Sequence, residues 1–146
     1  MTILIDKIEA IRIWDSRGMP TIETSIYIEN CKGIGKGMAP SGTSTGKFEA
    51  VEKRDANSIV LKDVLTPIEI INEKINKYFS GRRVQNQLEF DNQLIDLDGS
   101  SDRSNFGSNT IVSTSMAFAH ACANLVNQPL WKYLSVNEKL QLPLPE

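Results

Sequence analysis

The pattern of apolar residues changes period once along this chain, and that change limits the fold more than any other feature. Before Ala39 the period is two. From Thr21 to Glu29, residues Ile22, Thr24, Ile26 and Ile28 fall on one side and Glu23, Ser25, Tyr27 and Glu29 on the other, as in a half-buried strand. The isoleucine-rich stretch from Lys7 to Trp14 predicts a second strand, and Ile34 to Ala39 a third, weakened by glycine. Turns are expected at Asp15-Ser-Arg-Gly-Met-Pro20 and Asn30-Cys-Lys-Gly33. Connections this short favour an antiparallel meander. After Thr66 the period is 3.6. Thr66-Pro67-Ile68-Glu69 is a helix start with Thr66 as N-cap, and Ile68, Ile71, Ile75 and Tyr78 or Phe79 share one face, with Gly81 as terminator. A second helix is expected from Val84 to Leu97 with Leu88, Leu94 and Ile95 inward, then a polar loop at 98–105. A third runs from Ser108 to Val126, its stripe formed by Ile111, Val112, Ser115, Phe118, Ala119, Cys122, Leu125 and Val126. Its many Ala, Ser and Thr residues would let another backbone come close. Trp131, Tyr133 and Leu134 suggest one more helical turn after Pro129, and Leu140 to Glu146 reads as extended. Strands followed by helices give an α+β fold: a three-stranded antiparallel meander, then a helical subdomain.

Between the two regimes lies Pro40-Ser-Gly-Thr-Ser-Thr-Gly-Lys-Phe-Glu-Ala50. Gly42 and Gly46 bracket three hydroxyl residues, and no bulky apolar side chain occurs between Pro40 and Phe48. Such a segment cannot fill a core. Hydroxyls can ligate a hard cation, and bare N–H groups can face an anion. A phosphate-cradling P-loop is excluded by spacing. That motif needs four residues between its glycines and Ser or Thr after the lysine, whereas here there are three and Phe48 follows. The structural alternative is a flexible surface turn.

Other classes are removed by composition. At 146 residues with net charge −2, the chain has the size of one domain and no electrostatic footprint for nucleic acid. No apolar run approaches a membrane span, and the N-terminus does not read as a signal peptide. Cys31 and Cys122 match no metal or redox spacing and are expected to be reduced thiols in a cytoplasmic protein. His120 is the only histidine, so histidine-pair catalysis is excluded, and its alanine-rich setting reads as a packed or half-exposed helix position.

Taken in order, these motifs resemble the N-terminal domain of the enolase family. Asp15-Ser-Arg-Gly-Met-Pro-Thr21 is similar to the family's DSRGNPT turn, and Pro40-Ser-Gly-Thr-Ser-Thr-Gly46 to its PSGASTG segment. Glu49-Ala50 and Arg54-Asp55 follow as in the family, Leu97-Asp98-Gly99 resembles its LDGT turn, and Phe106 to Ile111 is similar to LGANAI. Pro129 to Leu134 and Leu142-Pro143 fit the segment leading into a catalytic domain. The resemblance covers essentially the whole chain. It departs from the family at Met19, Thr43, Phe48, Ser108 and Thr110, and in the hydroxyl run Ser113-Thr114-Ser115.

The resemblance implies residues 1–139 as the domain and 140–146 as the start of a linker into a C-terminal barrel. It implies a glycolytic parent that dehydrates 2-phosphoglycerate to phosphoenolpyruvate with two Mg2+ ions. Ser44 would ligate the second ion, while Ser41, Gly42, Thr43, Thr45 and Gly46 would form the loop over the phosphorylated hydroxy-acid substrate. The barrel would hold the base, the acids and the metal-binding carboxylates, leaving no catalytic residue in this chain, which alone would be inactive. Pairing into a homo-oligomer would bring Arg17 and Glu23 near a subunit contact; the alternative for Arg17 is that it holds its own turn. A diverged homologue acting on a related phospho-acid and a non-catalytic interaction domain are the other readings of the same motifs.

Overall fold

A computed structural model describes residues 2–42, 44, 46–60 and 62–135. Thr43, Thr45 and the expected extended tail lie outside them. Strands β1 (Ile3–Trp14), β2 (Pro20–Ile28) and β3 (Gly33–Met38) form the expected antiparallel meander. The helical part follows: α1 (Leu65–Glu69) runs through a π-helical stretch (Ile70–Ile75) into α2 (Asn76–Phe79), and then come α3 (Gln87–Asp98), α4 (Ser108–Leu125) and α5 (Leu130–Tyr133).

The sheet has a fourth member. β4 (Arg83–Val84) pairs with Ile3 and Leu4, giving the order β3-β2-β1-β4. Two residues are too few to show a period, so Val84 reads in the sequence as a helix start. It is instead fully buried opposite Ile3. β1 also begins earlier than Lys7, at Ile3, and its register slips between Ile5 and Lys7. That irregularity puts Ile5, Ile8 and Ala10 on the buried face and hides the strand from a strict alternation test.

β2 is central, and both its faces are largely covered. Ile22, Ile26 and Ile28 are sealed against the helices. On the opposite face Glu23 and Ser25 are nearly buried, and Lys36 of β3 reaches Glu23 at 2.7 Å. The polar half of the alternation is therefore not a solvated face.

β3 alternates glycine with larger residues for a packing reason. Gly33, Gly35 and Gly37 face α4, while Ile34 and Met38 point outward. A Cβ on Gly35 would lie 2.1 Å from both the carbonyl of Ala117 and the amide nitrogen of Ala121; one on Gly37 would lie 2.1 Å from the carbonyl of Ser113. Strand and helix thus meet backbone to backbone. Only small residues fit on this side of α4, so Ser113, Ala117 and Ala121 are buried and Val112 and Val126 turn outward, opposite to the expected stripe. Thr24 and Ser113 share a hydroxyl hydrogen bond of 2.9 Å inside this interface.

The larger side chains gather on the other flank. Ile71, Ile75 and Phe79 bring the first helical run onto β1, as its spacing predicts. Phe79, Phe90 and Phe118 stack in series, with ring centroids 4.6 and 4.2 Å apart. Each buried ring contributes on the order of 2–3 kcal/mol of transfer free energy. In α3 the inward residues are Phe90 and Leu94; Leu88 is 69% exposed and Ile95 only half-buried. The cap of α1 also differs from expectation. Thr66 caps nothing with its side chain, and its N–H donates to the Asp55 carboxylate at 3.1 Å.

Candidate functional site

The polar segment leaves the sheet at the end of β3, and its entry point is tied down on three sides. Thr21 donates its hydroxyl to the carbonyl of Ala39 at 2.7 Å. Two residues on, the hydroxyl of Ser41 receives an N–H of Arg54 and donates to Glu52 Oε2, each at 2.6 Å. Arg17 donates to the Ser41 carbonyl.

Arg17 is placed by a turn that the sequence predicts correctly. One Asp15 carboxylate oxygen receives the N–H groups of Arg17 and Met19, both at 2.8 Å. Gly18, at φ 70°, takes a left-handed conformation that glycine tolerates without strain. These backbone bonds, that of Met19 first, hold the Asp15 carboxyl below its usual pKa despite partial desolvation. Met19 acts through its N–H, so its departure from the family's Asn leaves the turn intact. The same carboxylate pairs with the Arg17 guanidinium at 3.2 Å.

Arg54 organises the far side. Its guanidinium reaches Glu52 Oε2, the Pro20 carbonyl and the Lys62 carbonyl, each at 2.8 Å, besides Ser41. These partners come from four separated positions, which is why the sequence shows the Arg54-Asp55 pair without showing its use. The exit of the segment is fastened to α4. Ser108 donates its N–H to the Val51 carbonyl at 3.0 Å, and the Asn109 carboxamide pairs with both backbone groups of Lys53, also at 3.0 Å.

Between these attachments the described residues face solvent. Ser44 is exposed, and Gly46 donates its N–H to Glu49 Oε2 at 2.8 Å. Phe48 is almost wholly exposed beside Lys47. The structure therefore brings Ser41 together with Arg17, and leaves Ser44 and Gly46 standing clear of the fold. Thr43 and Thr45 lie outside the described residues. Glu23 sits apart on the outer sheet face in its pair with Lys36.

Two clefts flank the segment. One of about 440 Å³ lies between the Asp15–Gly18 turn and the strand end, walled by Ile13, Trp14, Arg17, Met38 and Ser41. The other, about 470 Å³, is lined by Lys47, Phe48, Glu49, Asp102 and Arg103 and is mixed in character.

Could these residues hold a metal? Among the described residues no group of three or more His, Cys, Asp or Glu side chains could do so. Magnesium requires near-octahedral oxygen coordination. Ser44 fits as one hard oxygen donor, and the remaining ligands would have to come from outside the described residues. His120 is half-exposed.

Comparison with known proteins agrees with this architecture. The family described as "Enolase, N-terminal domain" matches residues 5–134. Proteins named Enolase from Methanosarcina acetivorans and Methanosarcina barkeri are each 44% identical over 143 residues, which is 97% of this chain and 33% of theirs. The chain thus spans about a third of the length of the curated relatives it matches. With its antiparallel meander, its helical half and its glycine-flanked hydroxyl segment, this chain belongs to the enolase N-terminal domain family.

Proposed function

We propose that this chain is the lid-bearing N-terminal domain of an enolase, a magnesium-dependent glycolytic lyase that dehydrates 2-phosphoglycerate to phosphoenolpyruvate. The observation that carries this reading is the exposed hydroxyl of Ser44 on a segment fastened to the fold at both ends. Such a segment can lay one oxygen donor over a neighbouring charged site and exclude water from it. The bound ion would supply charge neutralisation as the carboxylate-adjacent proton is removed. Ser44 would contribute one of its ligands, and Gly42, Thr43 and Gly46 would offer backbone and hydroxyl groups to the substrate. The base, the acids and the carboxylate ligands belong to the portion that the longer relatives carry beyond this domain, on our reading a C-terminal barrel joined through residues 140–146.

The same reading makes the parent a cytoplasmic homo-oligomer. Among the described residues no helix is long and apolar enough to cross a membrane, and the two thiols are free. Arg17 and Glu23 lie on the turn and on the outer sheet face, where a second subunit would meet them.

The test is Ser44→Ala in the parent enzyme. Turnover should fall by about 10²-fold or more, with a smaller change in KM, because the lost contact belongs to the closed, charge-developed state. Wild-type turnover with wild-type magnesium dependence would overturn the lid assignment. The 146-residue chain, assayed with magnesium for the absorbance of phosphoenolpyruvate, should show no turnover.

A further inference from the structure

Ser41 stands apart from the rest of the hydroxyl segment. Its neighbours along that segment face solvent, whereas Ser41 has its hydroxyl and its carbonyl both engaged, each by a different arginine. Arg54 is held in place independently of Ser41: it is 14% exposed and donates to two backbone carbonyls and Glu52. Arg17 is likewise held by Asp15. Each cation thus has anchors besides Ser41, which lies between them. Hydrogen bonds to charged partners are the stronger kind, and the guanidinium fork suits several fixed acceptors at once.

From this geometry we infer that Arg54 and Arg17 are positioning residues that clamp Ser41, setting the point at which the segment departs from the sheet and so the reach of Ser44. The inference rests on the lid reading for its purpose, not for its geometry. Ser41 acts through the hydroxyl it places between Arg54 and Glu52, rather than as a ligand. Ser41→Ala would remove that bridge while leaving the three other contacts of Arg54 in place. Arg54→Lys would keep the charge but lose the fork, since an ammonium cannot span acceptors drawn from Pro20, Ser41, Glu52 and Lys62 together.

The clamp can be read without metal or substrate. A lysine-specific protease acting on the full native chain reports the freedom of the segment through cleavage after Lys47. Cleavage after Lys36, in β3, reports the freedom of the fold. Ser41→Ala removes two charge-assisted hydrogen bonds, so it should speed cleavage after Lys47 about tenfold or more and leave cleavage after Lys36 unchanged. Ser41→Thr, which keeps the hydroxyl, should restore the slow rate. Adding Ser41→Ala to Arg54→Lys should change little beyond Arg54→Lys alone, because the lysine has already lost the contact with Ser41. An unchanged rate after Lys47 in Ser41→Ala overturns the clamp. An equal rise after Lys36 overturns it too, since Ser41 would then be supporting the fold as a whole. The outcome is separable from the lid reading. A clamp confirmed by proteolysis beside a Ser44→Ala enzyme with normal turnover would leave an anchored surface loop, while the converse pair would leave a lid without this anchor.

Discussion

Asn72 turns its carboxamide onto Ala10 and satisfies both backbone groups of that residue, receiving the N–H at 2.8 Å and donating to the carbonyl at 3.2 Å. One turn on, Asn76 receives the N–H of Ile8 at 2.8 Å. β4 covers this edge of β1 only at Ile3 and Leu4. Beyond it, Ile5 bonds the backbone of Arg82 and Gly81, and then the side chains of Ser80, Asn76 and Asn72 do the work of a neighbouring strand. An open strand edge invites pairing with other chains. Asn72→Ala would strand two polar groups beside the nearly buried Ala10 and should cost about 1–3 kcal/mol. Urea unfolding should show this as a lower midpoint at unchanged slope.

Gly35→Ala should be among the most damaging single changes in the sheet. The added carbon would sit 2.1 Å from two backbone atoms of α4, and backbone cannot step aside as a side chain can. A loss of about 3 kcal/mol or more in thermal or urea unfolding is expected, at the top of the overpacking range. Gly81→Ala provides the contrast. No atom lies near its Cβ, and any cost there comes from φ 78° alone, about 1 kcal/mol.

Acid should unfold the domain through Asp63 and Asp98. Burial acts to raise both pKa values, but it is outweighed. Asp63 is stabilised by the Val64 N–H, the Ser58 hydroxyl and Arg12 at 2.8 Å; Asp98 by Ser100, the Phe106 N–H and Arg103. Both therefore lie below the reference 3.8. A lowered folded-state pKa gives stability that is complete above the unfolded value and is lost as pH falls through the folded one. Stability should change little through these groups above pH 5 and drop steadily below 3.8. Asp63→Asn should flatten part of that drop while lowering stability at neutral pH.

The two thiols should differ in reactivity. Cys31 is exposed, whereas burial pushes the Cys122 thiol up to about 11, only partly offset by its hydrogen bond with Tyr133. At pH 8 a thiol reagent should modify one cysteine quickly in the native chain and the second only on unfolding.

The sequence showed the meander and the helical half clearly wherever a face is built of one kind of residue, as with Ile22, Ile26 and Ile28 or with Ile71, Ile75 and Phe79. It failed where position is decided by distant partners. Val84 pairs across the chain with Ile3, and no local period announces that. Val112 is displaced from the core because the glycines of β3 admit only small residues opposite. For the site, the composition of 40–50 marked the segment. The anchoring of Ser41 was invisible because Arg17, Arg54 and Glu52 converge only in space. Asp55, read there as part of a motif, proved to satisfy the first turn of α1.

The backbone contact between β3 and α4 has a consequence for the segment that leaves one and is fastened to the other. Its entry is β3 itself, and its exit is bonded to Ser108 and Asn109 at the start of α4. Both attachments belong to one closely fitted unit, so the span between them is fixed by Gly35 and Gly37 lying on Ala117 and Ser113. The length of chain between Ser41 and Val51 is the free variable. A residue gained or lost there would alter how far the strap reaches without moving either buckle, which leaves reach open to adjustment while the frame stays constant.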